Sequence, residues 1–106
     1  MVRGEIFRIR EPRDARGSEQ RGERFAVVVQ GDLVAAGSTV VVVPTSQSAA
    51  EAPFRPVIEI EGQRTKLLVD KVRASAVQRL GESVGLLDLD ELIELNTALR
   101  FVLALR

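Results

Sequence analysis

Two short, nearly continuous apolar runs constrain this chain more than any other feature. Residues 24–30, Arg24-Phe25-Ala26-Val27-Val28-Val29-Gln30, and residues 39–43, Thr39-Val40-Val41-Val42-Val43, are rich in β-branched side chains and are bounded by Gly31, Gly37 and Pro44. Runs of this length and composition form strands buried on both faces; a buried helix needs about ten residues or more. The second run, apolar throughout, is predicted to be a central strand that Pro44 stops. Between the two, Leu33-Val34 is expected to anchor the connection to the core.

The remaining segments fit around that pair. Residues 6–10 alternate, and the pattern predicts a first strand with Phe7 and Ile9 inward, Ile6 facing the other way with Arg8 and Arg10, and Pro12 as its end. Residues 11–23 are polar, glycine-containing and long for a hairpin, and loops of that kind in small domains tend to carry function. Residues 55–60 and 64–69 flank Glu61-Gly62-Gln63, a hairpin signal, with Ile58 and Ile60 on the inner face and Val57, Glu59 and Glu61 on the outer one. A short extended piece is expected at 71–74, one helical turn at 75–80 and a last strand at 82–87. Asp88 with Glu91 three residues on forms a capping box. Leu92, Leu95, Leu99 and Val102 or Leu103 then recur at helical spacing to about residue 103. Many short strands followed by one helix predict a single α+β domain over residues 1–106, built on a small curled antiparallel sheet or open barrel.

Composition narrows the chemistry. The 106 residues include no cysteine and no histidine, which rules out disulfides, zinc-thiolate sites and imidazole acid-base catalysis. What is left is carboxylate, guanidinium, amine and hydroxyl, so no cofactor or metal is expected. No run approaches the ~20 apolar residues of a membrane span, and the charged N-terminus has no apolar signal core, so a cytoplasmic protein with no membrane partner is expected. Net charge is zero, yet Arg3, Arg8, Arg10, Arg13, Arg16, Arg21 and Arg24 crowd the first quarter. All but two of the 15 cations are Arg, the residue that forks onto phosphate through paired donors.

The chemistry-bearing stretch is Gly17-Ser18-Glu19-Gln20-Arg21-Gly22-Glu23-Arg24. It puts Glu19 on a loop and Arg24 where that loop meets a buried strand. An acid and a guanidinium held this way suit cleavage of RNA, whose 2′-hydroxyl lies beside the scissile phosphate. Glu19 would take the proton, and Arg24 would stabilise charge on the phosphate, because a guanidinium holds its protons too tightly to give one up readily. The same two residues would also serve as an ordinary loop ion pair. Thr45 and Ser46, after the central strand, offer a hydroxyl to a phosphate oxygen if strands two and three are antiparallel neighbours; otherwise they are turn residues. Arg13, Arg16, Arg21, Arg55, Arg64, Lys66, Lys71 and Arg73 are candidates for RNA backbone contacts, and Phe54 for base stacking. No phosphate-binding glycine loop is present.

Taken together these motifs resemble the MazF/PemK toxins of type II toxin-antitoxin modules. The likeness spans nearly the whole chain: Arg3-Gly4-Glu5-Ile6-Phe7 at the opening, Gly17-Ser18-Glu19-Gln20 with Gly22 and Arg24, Val41-Val42-Val43-Pro44-Thr45-Ser46, Val69-Asp70-Lys71-Val72-Arg73, and the tail from Leu80-Gly81. Phe25 stands where the family usually has Pro and Lys71 where Gln is common. The loop after Pro44 is one residue shorter than in many members, so both Thr45 and Ser46 remain candidates for the hydroxyl. The resemblance implies an SH3-like barrel shared with CcdB and PemK, and a homodimer. It implies metal-independent cleavage of single-stranded RNA to 2′,3′-cyclic phosphate and 5′-hydroxyl ends. It implies catalytic roles for Glu19, Arg24 and Thr45 or Ser46, and RNA contacts from Arg16, Gln20, Arg21, Gln47, Phe54, Arg55, Lys71 and Arg73. It also implies a MazE-like antitoxin whose disordered tail folds over the groove. The rival readings are a CcdB-like gyrase binder of the same fold and a non-catalytic RNA-binding barrel.

Overall fold

The central valine run forms a strand that changes partners half-way along, and this change shapes the sheet. The structure is a computed structural model describing residues 1–10 and 24–106. Its strands are β1 (Glu5–Ile9), β2 (Phe25–Val28), β3 (Thr39–Ser46), β4 (Val57–Ile60), β5 (Gln63–Leu67), β6 (Arg73–Ala76) and β7 (Leu80–Leu86), followed by helix α1 (Leu89–Leu103). All pairings are antiparallel, in the order β4-β5-β3-β2-β1-β7, with β6 also on β3. β6 pairs with β3 from Thr39 to Val42, and β5 takes over at Thr45 and Ser46.

Pro44 therefore does not stop the strand, as expected from sequence. It sits at the handover, where β3 leaves β6 and has not yet met β5, and its carbonyl accepts from the Leu68 amide at 2.9 Å. A residue without an N–H is tolerated where one partner has ended and the next has yet to begin. As a result Thr45 and Ser46 lie in the strand rather than in a loop.

The curl gives the sheet two apolar clusters. Ile6, Phe25, Val27, Val43, Ile58, Ile60, Leu67, Val69, Leu95 and Leu99 fill one under α1; Ala26, Val28, Val40, Val42 and Leu80 form the other. This corrects the reading of β1. Ile6 is buried in the first cluster, while Phe7 and Ile9 are partly buried against the second, so both faces of the strand are covered. Leu33 and Val34 are a second correction. Leu33 is 102% exposed, and polar bonds hold the connection: Gln30 donates to the Val34 carbonyl and accepts from the Val41 amide, and Asp32 accepts from the Arg3 amide.

The β4–β5 hairpin turns on Glu61 (φ 52°) and Gly62 (φ 81°), a pair of left-handed residues that gives a type I′ turn matching strand twist. A 3-10 turn at Val69–Lys71 precedes β6, another at Val77–Arg79 precedes β7, and β7 starts at Leu80, two residues before the expected position. The capping box forms as predicted, with the Glu91 amide donating to Asp88 at 2.8 Å and the Asp88 amide to Glu91 at 2.9 Å. Arg3 ties α1 to the sheet by donating to the Val29 carbonyl and to Asn96.

Candidate functional site

The site is set by strand register. β2 and β3 pair as Ala26↔Pro44, Val27↔Val43 and Val28↔Val42. Extended two residues past Ala26↔Pro44, the same register would set Arg24, just ahead of β2, opposite Ser46 at the end of β3. Side chains alternate across a strand, so Arg24 and Ser46 share one face, while Phe25 and Thr45 share the core face. The burial agrees: Phe25 and Thr45 are buried, Arg24 is exposed and Ser46 half-buried.

Backbone bonds fix Arg24 from both sides. Its carbonyl accepts from the Ile9 amide at 3.1 Å. The next residue, Phe25, donates its amide to Thr45 Oγ1 at 3.1 Å, and Thr45 Oγ1 donates to the Phe25 carbonyl at 3.0 Å. The Arg8 guanidinium lies 5.7 Å from the centroid of the Phe25 ring and pairs with Glu61 at the hairpin turn and with Glu82. The Arg24 side chain itself has no ion-pair partner among the described residues.

The two hydroxyls therefore differ in kind. Thr45, 1% exposed, uses its proton and one lone pair on Phe25. Ser46 Oγ accepts from the amides of Ser48 (3.2 Å) and Ala49 (3.0 Å). Both of its lone pairs are engaged, and its proton is available to donate. On the other flank of β3 the Cα partner of Ser46 is Lys66, whose own partner on β4 is Val57. Ser46, Lys66 and Val57 thus form a row across β3, β5 and β4, with Arg24 just ahead of β2 on the other flank of β3. Arg73, paired with Val42, belongs to the same face farther along β3 and is exposed.

The other expected RNA contacts are spread more widely. Gln47 is exposed just past β3, and its carbonyl accepts from Lys66 Nζ at 3.3 Å. Lys71 is exposed at the end of a 3-10 turn. Arg55 is built into a clamp: it donates to both carboxylate oxygens of Asp70 at 3.0 and 2.9 Å and to the Ala50 carbonyl at 2.9 Å. These bonds hold the Asp70 carboxyl below the usual carboxylate range, against a smaller opposing effect of burial. Phe54 stacks on Phe101 of α1 with ring centroids 6.1 Å apart. The two rings border an apolar groove of about 660 Å³ lined also by Pro53, Pro56, Val57 and Ile93. Glu19, Gln20, Arg16 and Arg21 lie outside the described residues.

Two features gain their place only from the fold. Lys66, one of eight cations the sequence offers for RNA backbone contact, is set beside Ser46 by the β3–β5 register. The groove's helical wall comes from Ile93 and Phe101, on a second apolar stripe of α1 outside the core-facing one. Its signal is the four-residue spacing of Leu89, Ile93 and, eight residues on, Phe101.

Comparisons with known proteins cover nearly the whole chain. The family model described as PemK-like, MazF-like toxin of type II toxin-antitoxin system matches residues 2–103. A Mycobacterium tuberculosis protein designated a candidate toxin is 39% identical over 106 residues, covering 99% of both chains. The endoribonuclease MazF9 of the same organism is 34% identical over 118 residues, covering 99% of this chain and 98% of its own. Among solved structures, a mycobacterial endoribonuclease in complex with its cognate antitoxin superposes with a TM-score of 0.78 at 17% identity, covering 100% of this chain and 97% of the other. MazF of Deinococcus radiodurans gives 0.75 at 22% identity, covering 98% and 96%. Likeness at that level of identity speaks for the fold: a curled antiparallel sheet with one C-terminal helix.

Proposed function

Because the chain belongs to the PemK-like, MazF-like toxin family of type II toxin-antitoxin systems, we propose that it is an endoribonuclease toxin that cuts single-stranded RNA without a metal, at the face where Arg24 and Ser46 stand level. What supports this reading is the antiparallel β2–β3 pairing, with Arg24 just ahead of β2 and Ser46, its Oγ proton uncommitted, at the matching end of β3. The kinship with an endoribonuclease at 34% identity over nearly the full length supports it.

In the reaction, the substrate's 2′-oxygen attacks the neighbouring phosphorus and gives up its proton to Glu19. The O2′–P bond forms and the P–O5′ bond breaks. The departing 5′-oxygen takes a proton from solvent, leaving a 2′,3′-cyclic phosphate and a 5′-hydroxyl. Arg24 neutralises charge on the non-bridging oxygens as it builds up, and Ser46 donates a hydrogen bond to one of them. Thr45 acts through Phe25, fixing the strand from which Arg24 projects. Arg16, Gln20, Arg21, Gln47, Lys71 and Arg73 bind flanking RNA. Phe54 and Arg55, engaged with Phe101 and Asp70, shape the neighbouring groove.

The protein works in the cytoplasm as a homodimer, for which exposed apolar side chains such as Leu89 and Leu105 are available. Its antitoxin has a disordered acidic and apolar tail, complementary to the cation row and the adjoining groove. The test is to incubate purified protein with mixed single-stranded RNA in EDTA and map the ends. Fragments bearing 5′-hydroxyl and cyclic phosphate ends are expected. Intact RNA together with blocked DNA gyrase would replace the reading with a non-catalytic gyrase poison.

A further inference from the structure

The Arg24–Ser46 face does not end at β3. Ser46 and Lys66 are Cα partners in the β3–β5 ladder, so their side chains stand together on one face. Lys66 is half-buried, and its ammonium reaches back over the strand end to the Gln47 carbonyl at 3.3 Å. That is a long bond to a neutral acceptor, and among the described residues no carboxylate pairs with Lys66. Neighbouring strands lie about 4.8 Å apart, so the backbones carrying Arg24 and Lys66 are roughly 10 Å apart with Ser46 between them. Side chains as long as Arg and Lys, rooted on the two flanks, can both reach a group held above the middle residue.

We propose that Lys66 is the second cation of the scissile-phosphate site, binding from β5 the same phosphate that Arg24 grips from β2, above the Ser46 hydroxyl. This rests on the nuclease reading and adds to it a specific residue. On substrate binding the ammonium exchanges the Gln47 carbonyl for an anionic oxygen. That exchange favours the bound state because a full negative charge attracts the ammonium more strongly than a neutral carbonyl does at the same distance. The two cations differ in role: the guanidinium fork orients the phosphate, and the ammonium adds a point charge beside the hydroxyl.

The experiment compares wild type with Lys66→Gln, Lys66→Met and Lys66→Arg. It measures single-turnover cleavage of RNA, thermal melting, and binding of a non-cleavable 2′-deoxy oligonucleotide across a salt series. Gln and Met are expected to lower the cleavage rate at saturating RNA by about tenfold or more and to flatten the slope of log K against log salt by about 0.7, the value for one lost contact to a single strand. Arg is expected to restore the slope and most of the rate, and melting stays at the wild-type value throughout. A Lys66→Met protein that cuts and binds as wild type overturns the proposal, as does lost activity that tracks a lower melting temperature and is not rescued by Arg. If wild type binds the oligonucleotide but cuts no RNA, the nuclease reading falls while the salt slopes still decide whether Lys66 touches phosphate. If it does neither, both fall.

Discussion

The Thr45 hydroxyl holds Phe25 by both of its backbone groups, accepting from the amide at 3.1 Å and donating to the carbonyl at 3.0 Å. A side chain here does the work of a ladder bond, at the point where β3 is passing from β6 to β5. The residue whose position this governs is Arg24, one step earlier in the chain.

Thr45 and Ser46 are therefore expected to respond differently to truncation. Thr45→Val keeps the shape and takes the side-chain acceptor from the buried Phe25 amide, which costs about 2 kcal/mol, a fall in Tm on the order of 10 °C. Thr45→Ser keeps both bonds and most of the stability. Ser46→Ala leaves Tm close to wild type and lowers single-turnover cleavage by roughly 10²-fold, the scale of one lost donor to a developing anion. Wild-type cleavage by Ser46→Ala, with cleavage lost in a Thr45→Val protein still folded at the assay temperature, would pass the donor role to Thr45.

Arg24→Ala is expected to reduce cleavage by about 10³-fold or more with Tm unchanged, because the side chain is exposed and makes no ion pair with any described residue. Arg24→Lys should recover little of the rate, since a point charge cannot fork onto two phosphate oxygens. Full activity in either variant removes Arg24 from the reaction.

The Arg55–Asp70 clamp makes stability sensitive to acid. Hydrogen bonds from Arg55 lower the folded-state pKa of Asp70 below its unfolded value. The contribution is thus fully present above the unfolded carboxyl's pKa of about 3.9 and is lost as pH falls through the lower folded value. Urea midpoints should differ between wild type and Asp70→Asn by a constant amount from neutral pH down to about 5, and the difference should shrink below pH about 4. A gap that persists unchanged at the acid end would show that the carboxylate charge is not what the clamp uses.

Gly4→Ala is expected to destabilise by about 1–2 kcal/mol, read as a shift in urea midpoint. The residue has φ +92°, and an added Cβ would lie 3.1 Å from Leu92 Cδ2 of α1. Left-handed backbone and close approach by the helix act together there, so a neutral substitution would mean that α1 gives way at no cost.

Local patterns account for the parts of the fold that a segment can encode alone. The β-branched runs, the Glu61-Gly62 turn and the Asp88/Glu91 capping box are visible in the sequence because each depends on residues within a few positions of one another. The misreadings arise where distant partners decide. Pro44 reads as a stop, yet β3 runs through it because another strand takes over beyond. Ile6 reads as outward, yet the curled sheet covers both faces of β1. Leu33 and Val34 read as anchors, yet side-chain bonds from Gln30 and Asp32 hold their connection instead.

Read alone, the amino-acid order fixes the chemical inventory and the succession of elements: no imidazole or thiol, an arginine ahead of a buried strand, two hydroxyls late in a central one, a capped helix last. Which of these groups come together depends on the folded sheet. Register along β3 is a non-local property, fixed by which side chains the curled sheet must bury. It turned Thr45 into the core, left Ser46 on the other face at the end of the β2–β3 pair where Arg24 enters, and brought Lys66, twenty positions away, beside Ser46.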